Sequence, residues 1–165
     1  MSWARALRHL MAPPWRVRRA FPRHTLETIE SVIGASERRH RGEIRFAVEG
    51  ALEFVPVAGG LTARDRALEL FSVLKVWDTE QNTGVLIYVQ LVDRDIEVVA
   101  DRGISRLIPQ QGWDGICRRM EEAFRAGRYE AGVIAGIAEV SDLLARHFPS
   151  GTANVDELPD QPVVL

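Results

Sequence analysis

The chain has one cysteine, Cys117, so an internal disulfide is excluded. No run approaches ~18 consecutive apolar residues, so no segment reads as a bilayer-spanning helix. No apolar stretch separates the N-terminal arginines from a small-residue cleavage site, as a secretory signal requires. His9, His24, His40 and His147 are scattered, without the spacing of a zinc site. A glycine-rich phosphate loop, a nucleophile elbow and an HExxH helix are all missing. Cys117 falls on the apolar face of a helical pattern and reads as a buried, inert thiol. A cytoplasmic protein is the default expectation.

What the sequence does have is a length of 165 residues, enough for one domain with a real core. The net charge of −2 supplies no bulk field for nucleic acid, but the sign is unevenly spread. Met1 to Leu26 holds six arginines (Arg5, Arg8, Arg16, Arg18, Arg19 and Arg23) and no acid. The remainder carries 15 basic against 23 acidic residues, a net −8. Three readings fit: an arm lying on the acidic body or free in solvent, a membrane-surface segment, or a nucleic-acid contact. Trp3, Leu7, Leu10 and Met11 beside Arg5 and Arg8 suit the membrane surface, although Pro13 and Pro14 stop a helix there. Nucleic acid is the weakest partner, because no aromatics are interleaved on a larger basic face.

Along the chain, Thr25 is placed to cap a helix with apolar positions Leu26, Ile29, Val32 and Ile33, running to about His40. Glu43 to Glu49 alternates as a strand, and Phe54 to Leu61 reads as loop. Thr62 and Asp65 have capping-box spacing before a helix with Ala67, Leu68, Phe71 and Leu74 as its stripe. Asn82-Thr83-Gly84 turns into the apolar strand Val85 to Val92, the kind covered on both faces. Asp93-Arg94 is a tight turn, and Asp95 to Asp101 returns antiparallel. Two helices follow, around Trp113 to Phe124 and over Tyr129 to His147. The expected fold is a three-layer α/β/α sandwich around a small mixed sheet. The domain spans residues 25–149, with an Arg-rich arm at 1–24 and a tail at 150–165.

This topology puts the starts of two parallel strands and the end of the antiparallel one at a single margin. Glu43, Asp78 and Asp101 gather there, with Thr79 and Asn82 as neutral oxygen donors. Three carboxylates with such oxygens suit calcium or magnesium, and Gly103 offers a further backbone donor for an anion. Asp93 and Asp95 are secondary candidates at the other margin, where aspartates are ordinary turn residues. Acids at strand ends are also commonly just solvated.

With these residues laid out, the chain resembles the TPM domain family, specifically a compact bacterial branch without signal or anchor. The resemblance rests on Ser36-Glu37 through His40-Arg41-Gly42-Glu43-Ile44, on Thr79 with Gly84 to Tyr88, and on Asp93-Arg94. It continues in Asp101-Arg102-Gly103-Ile104, Trp113, Phe124-Arg125-Ala126-Gly127, His147-Phe148-Pro149 and the tail Asp156-Glu157-Leu158-Pro159-Asp160. The resemblance implies an α/β/α domain. It further implies a calcium-binding acid phosphatase, as in some plastid members, or an assembly and repair factor, with a LemA-type membrane protein as a bacterial partner. The chain departs from the family pattern at Asn82-Thr83 and at Asp101-Arg102-Gly103, both at the margin that would hold the metal.

Two functional expectations follow. One is a non-catalytic binding or assembly module, using an acidic margin and Arg5, Arg8, Arg16, Arg18 and Arg19 against a protein partner or the inner face of a membrane. The alternative is a metal-dependent hydrolase of phosphate monoesters, in which Glu43, Asp78 and Asp101 hold the cation that lowers the pKa of a bound water. Calcium in a purely structural role is a third.

Overall fold

The computed structural model describes residues 3–151 and 155–165. The arm forms two helices, α1 (Trp3–Leu10) and α2 (Trp15–Ala20), broken by Pro13 and Pro14. Helix α3 (Arg23–Glu37) leads into β1 (Glu43–Glu49), and a short α4 (Phe54–Ala58) precedes α5 (Ala63–Val73). Strands β2 (Gly84–Gln90) and β3 (Asp95–Ala100) form a hairpin. Then come α6 (Arg102–Ser105), α7 (Gln111–Arg125), α8 (Tyr129–His147) and, in the tail, β4 (Val163–Val164).

The sheet order is β3-β2-β1-β4, with β1 parallel to β2 and β4, and β2 antiparallel to β3. Alternation along each strand divides the core in two. Ile44, Phe46, Val48, Val85, Ile87 and Val89 pack under α3, α7 and α8 around Trp113 and Phe124. Ala47, Leu86, Tyr88 and Val99 face α5 through Ala63, Ala67 and Leu70. Helices therefore cover both faces of a small mixed sheet, the expected three layers. The two central strands are buried along their whole length, which explains the near-continuous apolar sequence of β2, while β1 buries Glu43, Arg45 and Glu49 as well.

Three local expectations needed revision. Helix α3 starts at Arg23 with Pro22 as its N-cap residue, because proline brings a preset φ and lacks the N–H that a first turn leaves unused. Thr25 is instead buried, and its hydroxyl donates to Glu130 on α8. The segment read as loop holds α4, and the tail adds a strand, both too short to show periodicity. The capping box at Thr62 and Asp65 forms as expected.

Candidate functional site

The margin marked by the acids is real as a place in the sheet. Glu43 is paired with Gly84 across the parallel ladder, and the Asp101 N–H donates to the Gly84 carbonyl at 2.9 Å. These three residues form one row across neighbouring strands, so the Glu43 and Asp101 backbones lie about 10 Å apart. Their side-chain oxygens are spent separately. Glu43 Oε2 accepts from the tail amides of Glu157 at 3.2 Å and Leu158 at 3.1 Å. Asp101 Oδ1 accepts from the Arg102 amide at 2.6 Å, capping α6, while its other oxygen is buried without a partner. Thr79 Oγ1 accepts from Thr83 N–H at 2.9 Å, and Asn82 Oδ1 accepts from Arg102 Nε at 3.1 Å. Asp78 is exposed.

Gly103 donates its N–H to the Asn82 carbonyl at 3.1 Å. A side chain there would collide with the carbonyls of Gln81 and Asn82, so glycine lets the turn after β3 pack onto the 79–83 loop. These oxygens and this amide hold two loops together, and among the described residues Glu43, Asp78 and Asp101 do not bring their carboxylates into one group.

A different set of carboxylates does converge. Among the described residues, Glu37, Asp156 and Asp160 place one oxygen each within 4.8 Å of one another. They line a hollow of about 360 Å³ with Gly34, Arg38 and Glu43. Glu37 Oε1 caps the free edge of β1 by accepting from Ile44 N–H at 2.6 Å. Burial pushes the Glu37 carboxyl up to about 9, against that hydrogen bond and with the charges of Glu43 and Asp160 adding. Burial likewise raises Asp160, and raises Glu43 to about 6 against the two tail amides. Arg45, buried on the same face, donates to the carbonyls of Pro159 and Gln161. A hard cation wants all its carboxylates ionised. Without a cation, burial favours the protonated form of Glu37, and Arg45 on the same face supplies positive charge to the cluster. What the cluster does is fasten the tail: Leu158 is buried against the α5 face, and β4 pairs with β1 at Ala47 and Val48.

The opposite margin carries the arm. Asp93 receives Arg5 Nε at 2.7 Å, Arg8 Nη2 at 3.2 Å and His9 Nε2 at 3.0 Å. His9 Nδ1 accepts from the Leu52 amide at 2.9 Å, which leaves the proton on Nε2 to face Asp93. Burial alone would raise the Asp93 carboxyl, but hydrogen bonds and charge from His9 and Arg5 hold it below the usual aspartate range. Asp95 beside it is raised by burial and by Asp93.

This anchoring turns α1 inside out. Its polar residues Arg5 and His9 point at the body together with Ala6, whereas Leu7 and Leu10 point away and Trp3, though exposed, rests one side of its ring on Phe54 of α4. Trp3 is 61%, Leu7 51%, Leu10 65% and Met11 73% exposed, at positions that share one helical face. Trp15 on α2 is 55% exposed, and Arg18 and Arg19 are exposed beside it. Elsewhere Cys117 is buried and its thiol pushed up to about 12, an inert packing residue.

Sequence reasoning missed Glu37, Arg45, Asp156 and Asp160 as a cluster, although Glu37 and the tail segment both lay in the family-like motifs. It also passed over Trp15, whose exposure depends on where two prolines aim a helix.

Comparison with known proteins agrees with this architecture. The solution structure of BA42 protein from the psychrophilic bacterium Bizionia argentinensis is similar at a TM-score of 0.75 and 29% identity, over 86% of this chain and 92% of that one. The N-terminal domain of a P. gingivalis protein shares the fold, with a TM-score of 0.60 and 20% identity over 85% and 92% of the two chains. No curated protein matches at a significant level. Among the described residues no helix is long and apolar enough to cross a membrane. The TPM domain family model matches residues 19–143, so the chain belongs to the TPM domain family.

Proposed function

We propose that the protein is a non-catalytic binding module of TPM type that docks reversibly on an anionic membrane surface through its N-terminal arm. The observation that supports this most is the reversed α1, whose apolar face looks outward while Arg5 and His9 are tied to Asp93. A soluble helix normally turns such a face inward. Here the bonds from Arg5, Arg8 and His9 to Asp93 fix the opposite orientation. Half-burying Trp3, Leu7, Leu10 and Met11 in a lipid interface is worth on the order of 1 kcal/mol each. Arginines near an anionic leaflet add about 1 kcal/mol apiece. The sum suits weak, salt-sensitive, peripheral binding.

The phosphomonoesterase alternative draws no support from the geometry, because the oxygens of Thr79, Asn82 and Glu43 are committed to protein groups.

Sedimentation with vesicles tests the docking. The full chain should pellet with phosphatidylcholine vesicles containing roughly a third phosphatidylglycerol, and less as salt rises. A Leu7→Ser, Met11→Ser double variant should stay in the supernatant. Equal pelleting of that variant and the parent protein would refute the proposal.

A further inference from the structure

We infer that the cleft between α2 and the turn joining α7 to α8 binds the phosphate of an anionic phospholipid headgroup, gripped by Arg16 and Arg19 and walled by Trp15 and Tyr129. This rests on the docking proposed above and names the ligand of that surface.

The cleft measures about 400 Å³, and no carboxylate lines it. Arg64, Arg66 and Arg119 are each matched to an acid, whereas Arg16 and Arg19 form no ion pair with any described carboxylate. Two unmatched guanidinium groups in one hollow repel each other unless an anion joins them. Phosphate suits their planar forks.

The walls are pre-set. The Arg19 guanidinium lies 5.9 Å from the centre of the Trp15 ring, and Tyr129 is braced by Phe21 at 5.9 Å and Phe124 at 5.1 Å. Glu130, next to Tyr129, accepts from the Thr25 hydroxyl and is not part of the cleft wall.

The choice of a lipid over a free phosphate comes from continuity. Arg16 also lines the neighbouring hollow of about 640 Å³, whose wall includes Leu7 and Met11. A ligand seated on Arg16 and Arg19 thus meets apolar side chains on one side. A phospholipid, with its headgroup joined to acyl chains, matches both surfaces at once. Asp93 lines that second hollow too, but its charge is already met by Arg5, Arg8 and His9.

The test compares two equal losses of charge in the full chain. Arg16→Gln with Arg19→Gln should lower partition onto vesicles containing roughly a third phosphatidylglycerol by about tenfold or more. Arg18→Gln with Arg106→Gln, which touches neither hollow, should lower it by no more than about fivefold, the share of the single arm arginine it removes from the leaflet. Thermal melts confirm that both variants are folded. Equal losses would overturn the cleft, leaving diffuse attraction, while docking itself stands. Failure of the parent protein to bind any vesicle removes docking and this inference together. If glycerol 3-phosphate nevertheless shifts the Arg16 and Arg19 side-chain NMR signals, the ligand is a soluble phosphate, and the lipid assignment is wrong.

Discussion

The arm and the tail are fastened to opposite margins of the sheet, the arm by the half-buried Asp93 and the tail by the buried Glu37, in opposite electrical settings. At the arm, Asp93 sits among Arg5, Arg8 and His9. At the tail, Glu37 meets Asp156 and Asp160, with Glu43 close by and Arg45 as counter-charge. The first carboxyl is held below its usual range; the second is pushed up to about 9. Compensated charge fixes the arm with its greasy side out. Crowded charge at the tail favours a proton kept on Glu37. The arm is thus built to present a surface, and the tail to close one.

The largest effect should come from removing the arm's hub. Asp93→Ala leaves Arg5 and His9 facing a partly buried gap, at a cost of about 2–4 kcal/mol in urea unfolding. Trypsin should then cut within α1. Unchanged stability and cleavage would erase the contrast between the two ends.

Next is pH, where the two hubs must act with opposite sign. Asp93 binds its proton less tightly folded than unfolded, so its contribution is complete above the unfolded pKa and is lost as pH falls through the folded one. Glu37 keeps its proton up to about 9 when folded, so stability declines as pH climbs from the ordinary glutamate range to that value. Asp93→Asn should flatten the acid limb of a urea-midpoint profile, and Glu37→Gln the alkaline limb. An alkaline slope unaffected by Glu37→Gln would show that the tail cluster does not hold the proton.

A smaller loss, about 1 kcal/mol, is expected for Glu43→Gln, which weakens the acceptor of the Glu157 and Leu158 amides. Faster hydrogen exchange at those two amides would report it. Smallest is the Leu7→Ser, Met11→Ser pair, whose exposed positions should move stability by no more than about 0.5 kcal/mol while vesicle binding disappears. Calcium or magnesium should leave the melting midpoint where chelator leaves it; a rise with either would reinstate a cation at Glu37, Asp156 and Asp160.

Much of the fold was legible because its signals are local and periodic. Val85 to Val92 announced a strand covered on both faces, Thr62 and Asp65 a capped helix, and the strand-helix-strand order a parallel pair. The row of Glu43 and Asp101 at one margin was legible too, since strand direction alone sets it. What periodicity does not carry is which way a strand-end side chain turns. Glu43 turns to the tail, and Asp101 folds onto its own helix start. The Glu37 and Asp160 contact joins residues far apart in sequence through a two-residue strand. The reversal of α1 depends on Asp93, whose place in a tight turn made it look like a mere turn former.

The most direct measurement is quenching of tryptophan fluorescence by brominated phospholipids in anionic vesicles. Of the four tryptophans, Trp3 and Trp15 should enter the interface, while Trp113 stays buried and Trp77, half exposed beside Asp78 at the other margin of the sheet, stays in water. The parent protein should be quenched, and a Trp3→Phe, Trp15→Phe variant that still pellets with the vesicles should not be. Quenching that survives in that variant, or none in the parent, would mean that the outward face of the arm does not meet lipid.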